Sequence, residues 1–181
     1  MKKLKIFLAS SEELKRERLE IADLIGHMNL ALENEDVRIY LVKWEYLDAS
    51  MSERHKQEEY NKTLEQCNLC FVLFATRFGK YTESELKTAY DKLCDGDNDN
   101  GKLTVFFKNG GTETDELKEF KSTFRDTYPE IPTENFDSII SLKQDFLKVW
   151  DRYQRDNLED KYPVIFTESH ATLNGEKLLH Y

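Results

Sequence analysis

The apolar run Phe71-Val72-Leu73-Phe74 is followed closely by Arg77, Lys80, Tyr81, Glu83 and Glu85. Carboxylates hydrogen-bond ribose hydroxyls, aromatic rings stack on bases, and Arg or Lys meets phosphate, so this set suits a nucleotide-like ligand. Two other places could join it: Ser10-Ser11 after the first apolar run, and Trp44-Glu45 after the second. Helical spacing alone does not choose between Glu83 and Glu85. Thr82 and Glu85 also have capping-box spacing, and a carboxylate in a first helical turn is favoured by the dipole, so a purely structural account of Glu85 is open too.

These residues can meet only if the chain folds as alternating strands and helices. Leu4 to Ala9 is a short apolar strand, and Ser10 and Glu13 have capping-box spacing before a helix whose Leu14, Ile21, Ile25, Met28 and Leu32 form one buried stripe. Val37 to Trp44 reads as a second strand, Ser52 to Gln66 as a polar helix, and Asn68 to Phe74 as a central strand covered on both faces. A helix with Leu86, Ala89, Tyr90 and Leu93 inward follows. Leu103 to Phe107 is the fourth strand, Asn109-Gly110-Gly111 a turn, and Asp115 to Thr127 a helix with Leu117, Phe120 and Phe124 inward. Phe136 to Leu142 is expected as the fifth strand and Lys143 to Arg155 as the last helix. Five alternations argue for an α/β fold with a parallel sheet covered by helices on both faces, and ligands bind such sheets at the carboxyl edge.

The expected division is a domain over 1–156 and a carboxyl-terminal extension over 157–181, where the alternation stops. Tyr162 to Phe166 reads as an edge segment, since an edge tolerates proline. The apolar ending Leu178-Leu179-His180-Tyr181 leads us to expect a module that continues into a partner domain.

Composition narrows the function. In 181 residues, 35 acidic side chains outweigh 26 basic ones for a net charge of -9, which argues against nucleic acid or an anionic membrane surface as partner. The amino terminus does not read as a signal peptide, and no apolar run approaches the ~18 residues of a membrane span. The 3 cysteines, an odd number, fit a reducing cytosol, so a cytoplasmic location is expected.

Several chemistries lack their residues. No Gly-rich phosphate loop and no G-x-S-x-G elbow occurs, and Ala9-Ser10 and Ala75-Thr76 stand where a phosphoacceptor domain wants acids. Cys67 and Cys70 are spaced C-x-x-C, but a structural zinc site wants four ligands. His27, His55, His170 and His180 show no ligand spacing, and Asp95 to Gly101 reads as a solvated turn rather than a calcium loop. No metal and no resident cofactor is expected.

Three stretches resemble the Toll/interleukin-1 receptor (TIR) domain in its bacterial, defence-associated branch: Lys5 to Ser11, Trp44-Glu45 leading to Tyr60-Asn61, and Phe78 to Leu86 with Ala89. Together they span roughly residues 4 to 110. Tyr81, Glu85 and Leu86 match the enzymatic signature of that family, an aromatic residue, three positions, then Glu and an aliphatic residue. The resemblance implies a flavodoxin-like three-layer sandwich with a five-stranded parallel sheet, and cleavage of the nicotinamide-ribose bond of NAD+ to nicotinamide and ADP-ribose or a cyclic ADP-ribose. It implies Glu85 as the catalytic carboxylate, with Ser10, Ser11, Trp44, Arg77, Tyr81 and Glu83 lining the substrate, and self-association through TIR-TIR contacts. The animal-type R-D-x-x-P-G loop is missing, which bears on assembly more than on fold. A non-catalytic TIR interaction module stays open as an alternative. So does a nucleoside 2-deoxyribosyltransferase-like enzyme, although the basic Arg77-Phe78-Gly79-Lys80 stands where those enzymes carry an acidic loop.

Overall fold

A computed structural model of the chain describes residues 1–43, 62–64, 66–78, 80–93 and 102–181, without the side chains of 43, 80–82, 84 and 85. Five strands, β1 (Lys2–Ser10), β2 (Val37–Lys43), β3 (Leu69–Phe74), β4 (Leu103–Lys108) and β5 (Thr133–Phe136), form one parallel sheet in the order β2-β1-β3-β4-β5. Among the described residues the main helices are α1 (Lys15–Ala31), α2 (Lys80–Leu93), α3 (Asp115–Thr127) and α4 (Ile139–Asn157). The fold is the expected flavodoxin-like α/β three-layer sandwich.

Strand pleating explains the layers. Leu4, Ile6 and Leu8 of β1 and Leu69, Phe71 and Leu73 of β3 face a core that includes Ile21, Ile25 and Met28 of α1 and Phe146 and Trp150 of α4. The alternate residues Phe7, Ala9, Cys70, Val72 and Phe74 face Leu86 and Ala89 of α2 and Leu117 and Phe124 of α3. Both faces are apolar, as a parallel sheet buried on both sides requires.

Two expected boundaries are corrected. The fifth strand ends at Phe136 instead of running to Leu142, and the last helix starts at Ile139 instead of Lys143. Ser138 explains this: its hydroxyl accepts from Ser141 N at 3.1 Å while Ser141 Oγ accepts from Ser138 N at 3.0 Å, a reciprocal cap that turns Ile139-Ile140 into the helix.

The segment after α4 is also corrected. Val164–Phe166 (β6) is not an edge of the parallel sheet; with His170–Leu173 (β7) and Glu176–His180 (β8) it forms a separate antiparallel sheet, ordered β6-β7-β8. Its inner residues Val164, Ala171, Leu173 and Leu178 belong to the core shared by α1 and α4. The buried Gln154 amide of α4 fixes the approach, donating to Tyr162 O and accepting from Tyr162 N, while Asp151 Oδ1 accepts from Val164 N at 3.0 Å. No helix among the described residues is long and apolar enough to cross a membrane.

Candidate functional site

The sheet order reverses between β1 and β3, because β2 lies on one side of β1 and β3, β4 and β5 on the other. Their carboxyl ends lie side by side, with Ser10 opposite Leu73, and a crevice at this edge is where an open α/β sheet takes ligands.

Ser10 is turned to the framework. It is buried at 4%, and its hydroxyl accepts at 2.8 Å from Arg18, itself only 1% exposed. Arg18 also donates to Ser11 O at 2.8 Å and pairs with Glu12 at 3.5 Å. A buried guanidinium is tolerable only with such acceptors. Its neighbour Glu17, also buried, is met by Lys108 from the end of β4 at 2.7 Å. On the α1 side, the edge is closed by matched charges.

The capping box expected for Ser10 and Glu13 does not form. A 3-10 turn, Glu12–Leu14, precedes α1, and Glu13 reaches instead to the loop after β3. Its carboxylate accepts from Thr76 Oγ1 at 2.6 Å, Thr76 N at 3.1 Å, Arg77 N at 3.1 Å and Ser11 Oγ at 3.0 Å. Partial burial pushes this carboxyl up, but the bond from Thr76 and those from Arg77 and Ser11 outweigh it and hold it below the usual range.

Thr76 is locked from the other side as well. Its carbonyl accepts from Thr114 N at 2.8 Å, and Gly111 (φ +84) passes so close that an added Cβ would lie 2.7 Å from Thr76 Cγ2. Thr114 then caps α3, its hydroxyl accepting from Leu117 N. The loops after β1, β3 and β4 therefore converge on Thr76. Sequence reading missed both Glu13 and Thr76 because the partners stand far apart in the chain and neither motif nor period links them.

Of the residues expected to line a ligand, Ser10, Ser11 and Arg77 are brought to this edge. Arg77 is exposed, with its amide on Glu13. Phe78, the aromatic residue next to Arg77, packs on the core: its ring lies 4.4 Å from Phe120 and 5.7 Å from Phe74, centroid to centroid. Trp44 and Glu45 lie outside the described residues, as do Gly79, His55, Cys94 and the turn from Asp95 to Gly101. Tyr81, Glu83 and Glu85 lie on α2, which packs across β1, β3 and β4.

The start of α2 differs from the capping-box reading. The helix begins at Lys80, so Thr82 lies inside it rather than at its N-cap, and the acid of its first turn is Glu83. Glu83 is exposed and its charge reaches Tyr128 beyond α3, whose phenol is raised by burial and then by Glu83 and Asp91.

Cys67 and Cys70 are both buried. Burial pushes Cys67 up to about 11, so at neutral pH it stays protonated and is a poor metal ligand. Among the described residues no group of three or more His, Cys, Asp or Glu side chains could hold a metal ion.

No family model matches the chain, and no curated protein does. Among solved structures, a CMP N-glycosidase of Clostridium botulinum is similar at 15% identity and a TM-score of 0.47, over 78% of this chain and 96% of that one. A flavoenzyme NAD(P)H:acceptor oxidoreductase of Paracoccus denitrificans matches at 10% identity and 0.39, over 86% and 99% of the two chains. An FMN-dependent NADH-azoreductase of Bacillus anthracis matches at 14% and 0.38, over 86% and 99%. Likenesses of this strength decide neither chemistry nor substrate.

Proposed function

We propose that the chain is a TIR-like hydrolase of N-glycosyl bonds whose substrate is NAD+, bound at the carboxyl edge between β1 and β3, with Glu85 as the catalytic carboxylate. One observation carries the reading: α2 starts at Lys80 and packs across β1, β3 and β4, which puts position 85 in its second turn, on the element that borders the carboxyl edge. Glu83 has an ordinary reason to be where it is, since the dipole favours an acid in a first turn. Position 85 stands about 200° further round the helix.

The chemistry asks little of the protein. Nicotinamide leaves from a cationic ring, taking the electron pair of the C1′–N bond, and needs no general acid. The Glu85 carboxylate holds the ribose hydroxyls and offsets the positive charge that develops on the sugar. Water then adds at C1′ and loses a proton, giving ADP-ribose; an adenine nitrogen adding there instead gives the cyclic product. Arg77 meets the diphosphate, Tyr81 and Trp44 supply ring faces, and Ser11 and Glu83 bind at the rim. Ser10 acts through Arg18 on the shape of the edge. By the same resemblance, TIR-TIR self-association completes the active form, in bacterial defence or signalling.

The test is NAD+ consumption by concentrated or artificially clustered protein. Nicotinamide appearing with ADP-ribose or its cyclic form is the expected outcome. NAD+ left intact by the clustered protein contradicts the reading; deoxynucleosides run beside it then separate a deoxyribosyltransferase from a non-catalytic interaction module.

A further inference from the structure

The carboxyl-terminal hairpin brings together two histidines that lie ten positions apart in sequence. β7 and β8 are joined by Asn174-Gly175, with φ of 48° and 83°, the backbone of a tight two-residue hairpin turn. Next to the turn, Leu173 faces Glu176 and Thr172 faces Lys177. Continued unchanged, that register would set His170 opposite Leu179. A bulge intervenes: Leu178 is taken up as an extra residue in the core, so Ala171 faces Leu179 and His170 faces His180. Bulges re-aim side chains in this way.

Directly opposed residues project from the same face of a sheet. Ala171 is buried, and Leu179 packs against the core, so the two histidines stand on the outer face, His170 partly exposed and His180 exposed. Tyr181 N donates to Ser169 O at 2.9 Å, which makes 169 and 181 the hydrogen-bonded pair. His170 and His180 are then the adjacent non-hydrogen-bonded pair, in which Cα atoms approach to about 4.5 Å and side chains are closest.

The His170 ring is also oriented. Its Nδ1 lies 3.0 Å from Thr167 Oγ1 and 3.1 Å from Ser169 Oγ, while Thr167 Oγ1 donates to His170 O at 3.0 Å. Thr167 Oγ1 also accepts from His170 N at 3.1 Å, so the Nδ1 edge of the ring is held between two hydroxyls close to the backbone. Nε2 is the other ring nitrogen, and a metal bound there selects the tautomer with the proton on Nδ1, where a hydroxyl accepts it, as second-shell partners do for metal-binding imidazoles.

We propose that His170 and His180 form a two-imidazole surface site for a borderline divalent metal ion of the Zn2+ or Ni2+ class, with water completing the coordination. The site belongs to the small antiparallel sheet and is independent of the glycosidic reading. Sequence spacing hides it because only the hairpin register and its bulge make the pair.

Calorimetric titration of the metal-free full chain with Zn2+ tests this, with Mg2+ as a hard-cation control. One equivalent of Zn2+ is expected, with no Mg2+ binding. His170→Ala and His180→Ala should each weaken Zn2+ at least ~10-fold, and Thr167→Val should weaken it by a smaller factor through loss of the ring's orienting partner. His27→Ala, which alters a histidine paired with Asp23 on α1, should leave it unchanged. Melting in chelator shows whether each variant is folded; His180 is exposed, so its variant should melt like the parent. No Zn2+ binding by the parent, or undiminished binding by folded His180→Ala, overturns the proposal.

Discussion

The β1–α1 and β3–α2 junctions meet at one sheet edge and are built from similar polar residues. After β1, Ser10, Ser11, Glu13 and Arg18 bond to each other and to Thr76, so their hydrogen-bonding capacity goes into holding three loops in place. After β3, Arg77 and Glu83 stand exposed, and position 85 follows in the second turn of α2. Being at the right edge is therefore not enough to mark a ligand group. What separates framework from chemistry is whether the group already has partners, because a committed hydroxyl or carboxylate must lose them before it can meet a substrate.

The sharpest way to break this comparison is to exchange the roles of the two junctions by mutation. On the β3–α2 side, Glu85→Gln should lower the rate of NAD+ cleavage by roughly 100-fold or more, the usual loss when one transition-state electrostatic group is removed, with little change in melting. Glu83→Gln should stay within about threefold of the parent in the same assay, a difference of well under 1.4 kcal/mol in the barrier. Ser10→Ala should behave in the opposite sense, costing about 2 kcal/mol in urea unfolding by depriving buried Arg18 of an acceptor while leaving KM unchanged. Gly111→Ala should cost about 1–2 kcal/mol, since φ of +84° disfavours any L side chain and the new Cβ meets Thr76. Glu13→Gln should have the smallest effect, about 1 kcal/mol, because the carboxylate is exposed and its bonds are partly screened.

Glu13 also fixes a pH dependence. Its folded-state value is depressed, so its contribution is present above the ordinary glutamate range near 4.3 and is lost as pH falls through the lower folded value. Acid melting of the parent should show this loss, and Glu13→Gln should flatten it.

The layers of the fold were legible because Leu4, Ile6 and Leu8 alternate with Phe7 and Ala9, and because the α2 and α3 stripes keep helical period. Local chemistry misled at two points. Ile139 and Ile140 read as strand because they are β-branched, and the Ser138–Ser141 cap that starts the helix has serine where a capping box has Glu or Gln. The Ser10–Glu13 spacing suggested a local cap, but a carboxylate offered three donors across the edge takes those instead, with Ser11 as a fourth from its own loop. Asn174-Gly175 is a hairpin signal that the reading of 157–181 as a patternless extension passed over; the bulge at Leu178 leaves no such signal, since it depends on packing against α1 and α4.

The most direct measurement is nicotinamide release from NAD+ by clustered protein, with parent, Glu85→Gln and Ser10→Ala compared at equal concentrations of folded chain. The account predicts release by the parent, near-complete loss in Glu85→Gln and an unchanged KM in Ser10→Ala. Release that survives Glu85→Gln but fails in folded Ser10→Ala would contradict it, and would move the chemistry to the β1–α1 junction.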